Sequence, residues 1–181
     1  STVGTSTEIY DYIKLLYARI GKTYSPISGD LVKKDTVSDV IHFIKQFEEG
    51  TKLLLLAPIS FENDKSIEVR INVLQQQGYA RLKWNDKIYR LDDFPIEDYN
   101  GESIYLVVDR IIMKNDEDFF NRVADATQAS FFEGKGVCCI ENISSDTIRE
   151  FNNKFELDGM SFLEPNTHFF SFNNPYGACP T

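Results

Sequence analysis

Apolar residues along the first twenty positions recur at helical spacing: Ile9, Tyr12, Ile13, Leu16, Tyr17 and Ile20 fall on one side of a helix. Thr5 and Glu8 have the spacing of a capping box at its start, and Gly21 supplies a left-handed stop at its end. A stripe of that kind needs a surface to cover it. The connection 22–35 is rich in turn formers, with Pro26, Ser28 and Gly29, and a second helix is predicted over 36–49. Val37, Val40, Ile41, Ile44 and Phe47 mark its buried side, and Gly50 ends it.

The central part alternates periods. The leucine run 53–56, inside 52–58, is too short for a free-standing helix and predicts a strand buried on both faces. A helix over 63–77 places Ile67, Ile71 and Leu74 together before Gly78. The segments 79–84 and 87–91 form a hairpin through Asn85 and Asp86, residues that tolerate the positive φ of a tight turn. A loop with Pro95 and Gly101 leads to an apolar strand over 103–113. A helix follows over 115–133, with Phe120, Val123, Ala124, Thr127 and Phe131 in phase and Gly134 as its stop, and then a strand over 135–140.

This order is an enlarged βαββαβ pattern. The predicted class is α+β, one mainly antiparallel sheet of about five to six strands covered by helices, with helical and loop flanks. The division expected is a helical flank over 1–49, a central module over 50–144 and a return segment over 145–181. In the last, 147–157 reads as a strand ending at the turn Asp158-Gly159, and 164–181 reads mostly as loop.

Composition narrows the chemistry. The 181 residues carry 19 Lys+Arg against 28 Asp+Glu, a net charge of −9 that repels a phosphate backbone, and the nearest basic run, Lys33-Lys34, is followed at once by Asp35. The chain alone is not expected to bind DNA. Acidic runs at Asp92-Asp93, Glu97-Asp98 and 116–118 read first as solvated faces and second as attraction for a basic partner. No apolar run approaches the ~20 residues of a membrane span, and no signal sequence leads the chain, so a soluble, cytoplasmic protein is expected. Three cysteines, with Cys138 and Cys139 adjacent, do not make a disulfide framework; on a strand they point to opposite faces and are expected to be buried.

Several strings carry a resemblance. The opening S-T-V-G-T-S-T-E-I-Y-D-Y at 1–12, G-T-K-L-L-L-L-A-P at 50–58, Q-G-Y-A-R-L at 77–82, V-V-D-R at 107–110 and the close F-S-F-N-N-P-Y-G-A-C-P-T at 170–181 resemble, in order and spacing, the A subunit of the bacterial excinuclease (UvrA). The resemblance spans nearly the whole chain, which is therefore expected to be a piece of a longer protein. It implies a damage-searching, DNA-binding, dimeric ATPase as the parent. Within that parent, 50–144 would be the module that binds the B subunit, and the flanks would adjoin the ATPase-associated region.

Catalytic candidates fail on inspection. Gly21-Lys22-Thr23 imitates the end of a P-loop, but Leu16 stands where that motif needs Gly, and the resemblance puts the ATP-binding motifs outside this segment. Family members commonly have C-P-x-C-G pairs here. This chain has Ser25-Pro26-Ile27-Ser28-Gly29 at the first, Glu156-Leu157-Asp158-Gly159 near the next, and Cys179 alone from the last, so no structural zinc and no other cofactor is expected. A thiol nucleophile would pair Cys138 or Cys139 with His42 or His168, which are remote in sequence and framed by no motif.

The arginines are better candidates. Alternation puts Tyr79, Arg81 and Lys83 on one face of 79–84, with Ala80, Leu82 and Trp84 on the other, and Arg110 closes an apolar strand beside Asp109. Read from the residues alone, intramolecular salt bridges, such as Arg110 with Asp109, stand as an equal alternative to partner contacts. The resemblance implies that Arg81 and Arg110 meet charged residues of the B subunit, supported by Lys83, Asp109 and Tyr79. A DNA-contacting part of the damage sensor is the alternative function. It calls for a basic, aromatic-studded face.

Overall fold

The computed structural model of the chain describes residues 8–61, 67–162 and 164. The cap expected at Thr5, the first turn of the helix expected over 63–77, His168, Cys179 and the loop expected over 165–181 lie outside them. The chain divides into two compact units, Ser1–Lys34 with Lys154–Thr181, and Asp35–Asn153.

The smaller unit holds α1 (Glu8–Ile20), on which Ile9, Tyr12, Ile13 and Leu16 are exposed, and a hairpin of β1 (Thr23–Tyr24) and β2 (Leu31–Val32). The larger unit runs α2 (Val37–Ile44), β3 (Lys52–Ile59), α3 (Ile67–Gln76), β4 (Arg81–Trp84), β5 (Lys87–Arg90), β6 (Ile104–Ile112), α4 (Glu117–Glu133), β7 (Val137–Asn142) and β8 (Thr147–Asn152). The chain then returns to the smaller unit through a second hairpin, β9 (Glu156–Leu157) and β10 (Met160–Ser161), turning at Asp158 and Gly159, both with positive φ. The strand expected over 147–157 is thus interrupted after Asn152.

Among the described residues the larger unit has a six-stranded sheet in the order β5-β4-β6-β3-β7-β8, with every neighbouring pair antiparallel. The leucine-rich β3 is interior, between β6 and β7, which is why both of its faces are apolar. Leu53 and Leu55 join Val40 and Ile44 of α2 and Val123 and Phe131 of α4 in one core cluster. Ala57 joins Ile71 and Leu74 of α3 with Leu82 and Leu106 in another. Leu54 and Leu56, of opposite parity, form a smaller layer on the other face with Val107 and Cys139. Each fully buried Leu or Ile is worth roughly 1.5–3 kcal/mol.

Local details qualify the expected boundaries. α2 ends at Ile44 and Gly50 closes a later turn, φ +88°, with its N–H donating to the Met113 carbonyl. Because Val40 and Ile44 are fully buried in the β3 core, the compact unit begins at Asp35 and takes in the helix that the sequence reading assigned to the flank. Gly134 caps α4 at φ −82°, and the left-handed residues are Lys135 and Gly136. Glycine is needed at 134 for space: an added Cβ would lie 2.0 Å from the Val137 carbonyl oxygen. The expected Asn85-Asp86 turn does take positive φ at both residues.

One irregularity shapes the surface. Along the β3–β6 ladder Leu55 pairs with Asp109 and Leu56 with Val107, so Val108 has no counterpart and β6 bulges there.

Candidate functional site

The bulge lies where two strands part. The β4–β6 ladder covers Leu82 to Leu106, Lys83 to Tyr105 and Trp84 to Ile104, and stops there. Between the start of β4 and the bulged end of β6 is a groove of about 200 Å³, lined by Tyr79, Arg81, Val107, Asp109 and Arg110 among others. Arg110 also borders a larger depression, about 680 Å³, with Ile112, Lys114 and Arg122. Arg81 and Arg110, 29 positions apart in sequence, are therefore brought to one groove.

Both are exposed, and no hydrogen bond or ion pair engages either guanidinium among the described residues. Asp109, the carboxylate next to Arg110 in sequence, is taken instead by Arg122 of α4. Arg122 Nε donates to Oδ2 at 2.9 Å and Nη2 to Oδ1 at 2.7 Å, a forked pair that raises the guanidinium pKa. Asp109 Oδ1 also accepts the backbone N–H of Arg110 at 2.8 Å.

The other three candidates sit differently from the expectation. Lys83 shares its face of β4 with Arg81, yet it is buried and its Nζ donates to Glu141 Oε2 of β7 at 2.7 Å. Tyr79 precedes β4, which begins only at Arg81, and packs against the cluster under α3. Burial and the neighbouring Glu133 carboxylate, which also accepts its hydroxyl hydrogen bond, push the Tyr79 pKa up. Asp109 faces α4 through Arg122. Sequence reasoning missed Arg122, Glu133 and Glu141, because each meets its partner only through the sheet and helix packing.

In the smaller unit the Ser-Pro-Ile-Ser-Gly segment makes a hydrogen-bonded cluster. The hydroxyls of Ser25 and Ser28 both donate to Asp158 Oδ2, the latter at 2.6 Å, and Ser25 Oγ accepts the Ile27 N–H at 3.2 Å. Two hydroxyls and one carboxylate do not make a zinc donor set, which calls for thiolate or imidazole. Among the described residues no group of three or more His, Cys, Asp or Glu side chains is placed to hold a metal ion. Cys138 and Cys139 are buried free thiols whose pKa values burial pushes up to about 11 and about 12. His42 is exposed on α2. No described helix is long and apolar enough to cross a membrane.

A small antiparallel sheet covered by helices, presenting two unpaired guanidiniums on one groove, has the features of a protein-recognition module. Comparison with known families agrees: the profile described as "UvrA interaction domain" matches residues 35–144, and the chain belongs to that family. Over 193 residues it is 37% identical to UvrABC system protein A of Rickettsia bellii, covering 99% of this chain and 20% of that protein. UvrABC system protein A of Staphylococcus epidermidis is 38% identical over 183 residues, covering 100% and 19%. That of Malacoplasma penetrans is 36% identical over 180 residues, covering 99% and 19%. The chain spans about a fifth of the length of the curated relatives it matches.

Proposed function

We propose that the unit Asp35–Asn153 recruits the B subunit of the excinuclease, so that a longer parent protein can deliver it to damaged DNA during nucleotide-excision repair in the cytoplasm. Arg81 and Arg110 are the anchors and Tyr79 an aromatic wall of the groove between them. The observation that carries this reading is their electrostatic state. On a chain of net charge −9, two guanidiniums stand exposed at one groove with no ion pair among the described residues, while neighbouring cations Arg122 and Lys83 are paired. A partner surface with carboxylates at matching positions completes them, and arginine is a residue type that dominates such interfaces. Lys83 and Asp109 support the groove from within, through Glu141 and Arg122. ATP hydrolysis, DNA binding and dimerisation belong, in this reading, to the rest of the parent. A DNA-contacting role is disfavoured by the same net charge.

The test is a calorimetric titration of the chain with purified B subunit, beside an Arg81→Ala, Arg110→Ala double variant checked for intact folding. Loss of both anchors should weaken binding by ~2–5 kcal/mol if they are desolvated in the complex. Unchanged affinity in the double variant would move the interface elsewhere, and no binding by the wild-type chain would remove the recruitment reading.

A further inference from the structure

Arg122 makes no contact with the partner in the reading above, yet it is bonded to the point from which Arg110 departs. Its side chain is 59% exposed and its guanidinium reaches the β6 bulge, with Nε on Asp109 Oδ2, Nη2 on Asp109 Oδ1 and Nη2 within 3.4 Å of the Arg110 carbonyl oxygen. The same Oδ1 also accepts the Arg110 N–H at 2.8 Å. At this place β6 has lost its ladder to β4 and its register against β3 shifts, so the backbone of 109–110 pairs with β3 alone and lacks the second neighbour that Ile104, Tyr105 and Leu106 have. A planar fork meeting a carboxylate sets distance and orientation together, which a point charge does not.

We propose that Arg122 is a positioning residue for partner binding. It ties Asp109 and the Arg110 carbonyl to the rigid helix α4, and so sets the direction in which the Arg110 side chain leaves the bulge toward a carboxylate of the partner. An arginine held in its bound direction loses less freedom on association. The inference rests on the reading that Arg110 meets the partner.

The experiment is a double-mutant cycle on the full 181-residue chain, titrated with the B subunit: wild type, Arg122→Ala, Arg110→Ala and the pair, with Arg122→Lys as a fifth protein. Arg122→Ala should weaken binding roughly three- to tenfold, and in the Arg110→Ala background the same change should cost less than about twofold. Arg122→Lys should behave like the alanine variant, because lysine keeps the charge and loses the fork. Additive losses in the pair would mean that Arg122 touches the partner itself, and would overturn the proposal. So would full affinity in Arg122→Ala.

Full affinity in Arg110→Ala has a different meaning, since it removes the anchor reading and the positioning role with it. A readout that needs no partner separates the cases. Hydrogen exchange at the Arg110 amide should speed up roughly tenfold in Arg122→Ala, without a matching change across the rest of the sheet. An unchanged Arg110 amide would show that the fork does not hold the bulge.

Discussion

Lys83 separates a structural from a binding role most sharply. Its Nζ lies 2.7 Å from Glu141 Oε2, with the two side chains only 7% and 6% exposed, and its second contact is a 3.6 Å approach to the solvent-exposed Asp86. Replacement by methionine keeps an unbranched apolar stem and removes the charge. The Glu141 carboxylate then has no cation within reach among the described residues, and breaking a buried pair from one side costs about 3–5 kcal/mol. For a unit of this size that corresponds to a fall in Tm of roughly 10–20 °C. Replacing both members, Lys83→Met with Glu141→Leu, removes both desolvation penalties and should return stability to within about 1 kcal/mol of wild type, or above it. Thermal unfolding at pH 7 of the four proteins of the cycle measures this. Partner titration of the single variant below its transition should show a much smaller loss of affinity than the Arg81→Ala, Arg110→Ala variant, because Lys83 acts on the groove only from within. A single variant with unchanged Tm but lost partner binding would place Lys83 in the interface and refute the argument.

Three further outcomes are expected. Hydrogen bonds from Ser25 and then Ser28 lower the Asp158 pKa, so their contribution is complete above the ordinary aspartate range and is lost as pH falls through the folded-state value. Acid should therefore release the tips of the β1–β2 and β9–β10 hairpins, seen as shifts of the Ile27 and Asp30 amides, and Asp158→Ala should reproduce those shifts at neutral pH; amides that ignore both changes would count against the cluster. A metal assay on the purified chain should find no stoichiometric zinc, and a zinc-to-protein ratio near one would contradict the donor-set argument. In a Cys179→Ser background, Cys138 and Cys139 should react with a thiol reagent only slowly until denaturant is added, because both are buried with raised pKa values; rapid labelling of the native protein would reopen the thiol-enzyme reading.

The elements of the larger unit are legible in local pattern. Apolar spacing marks the helices around Ile71 and Leu74 and around Val123 and Phe131, and the Asn85-Asp86 pair marks the hairpin, because helical period and turn conformation depend on neighbours in sequence. The leucine run of β3, apolar at consecutive positions, already required an interior strand with two covered faces. Arg81 and Arg110 stood out by residue type and by resemblance, not by any property of their own segments.

What they can do was decided elsewhere. Asp109 is claimed by Arg122, 13 positions on, and Lys83 by Glu141, 58 positions on, each brought within bonding distance only when β6 packs under α4 and the sheet places β4 and β7 on one surface. Among the described residues Lys83 and Arg122 are paired with carboxylates, whereas Arg81 and Arg110 face outward with no ion pair. Electrostatic pairing depends on separation in space, and no local pattern carries that distance.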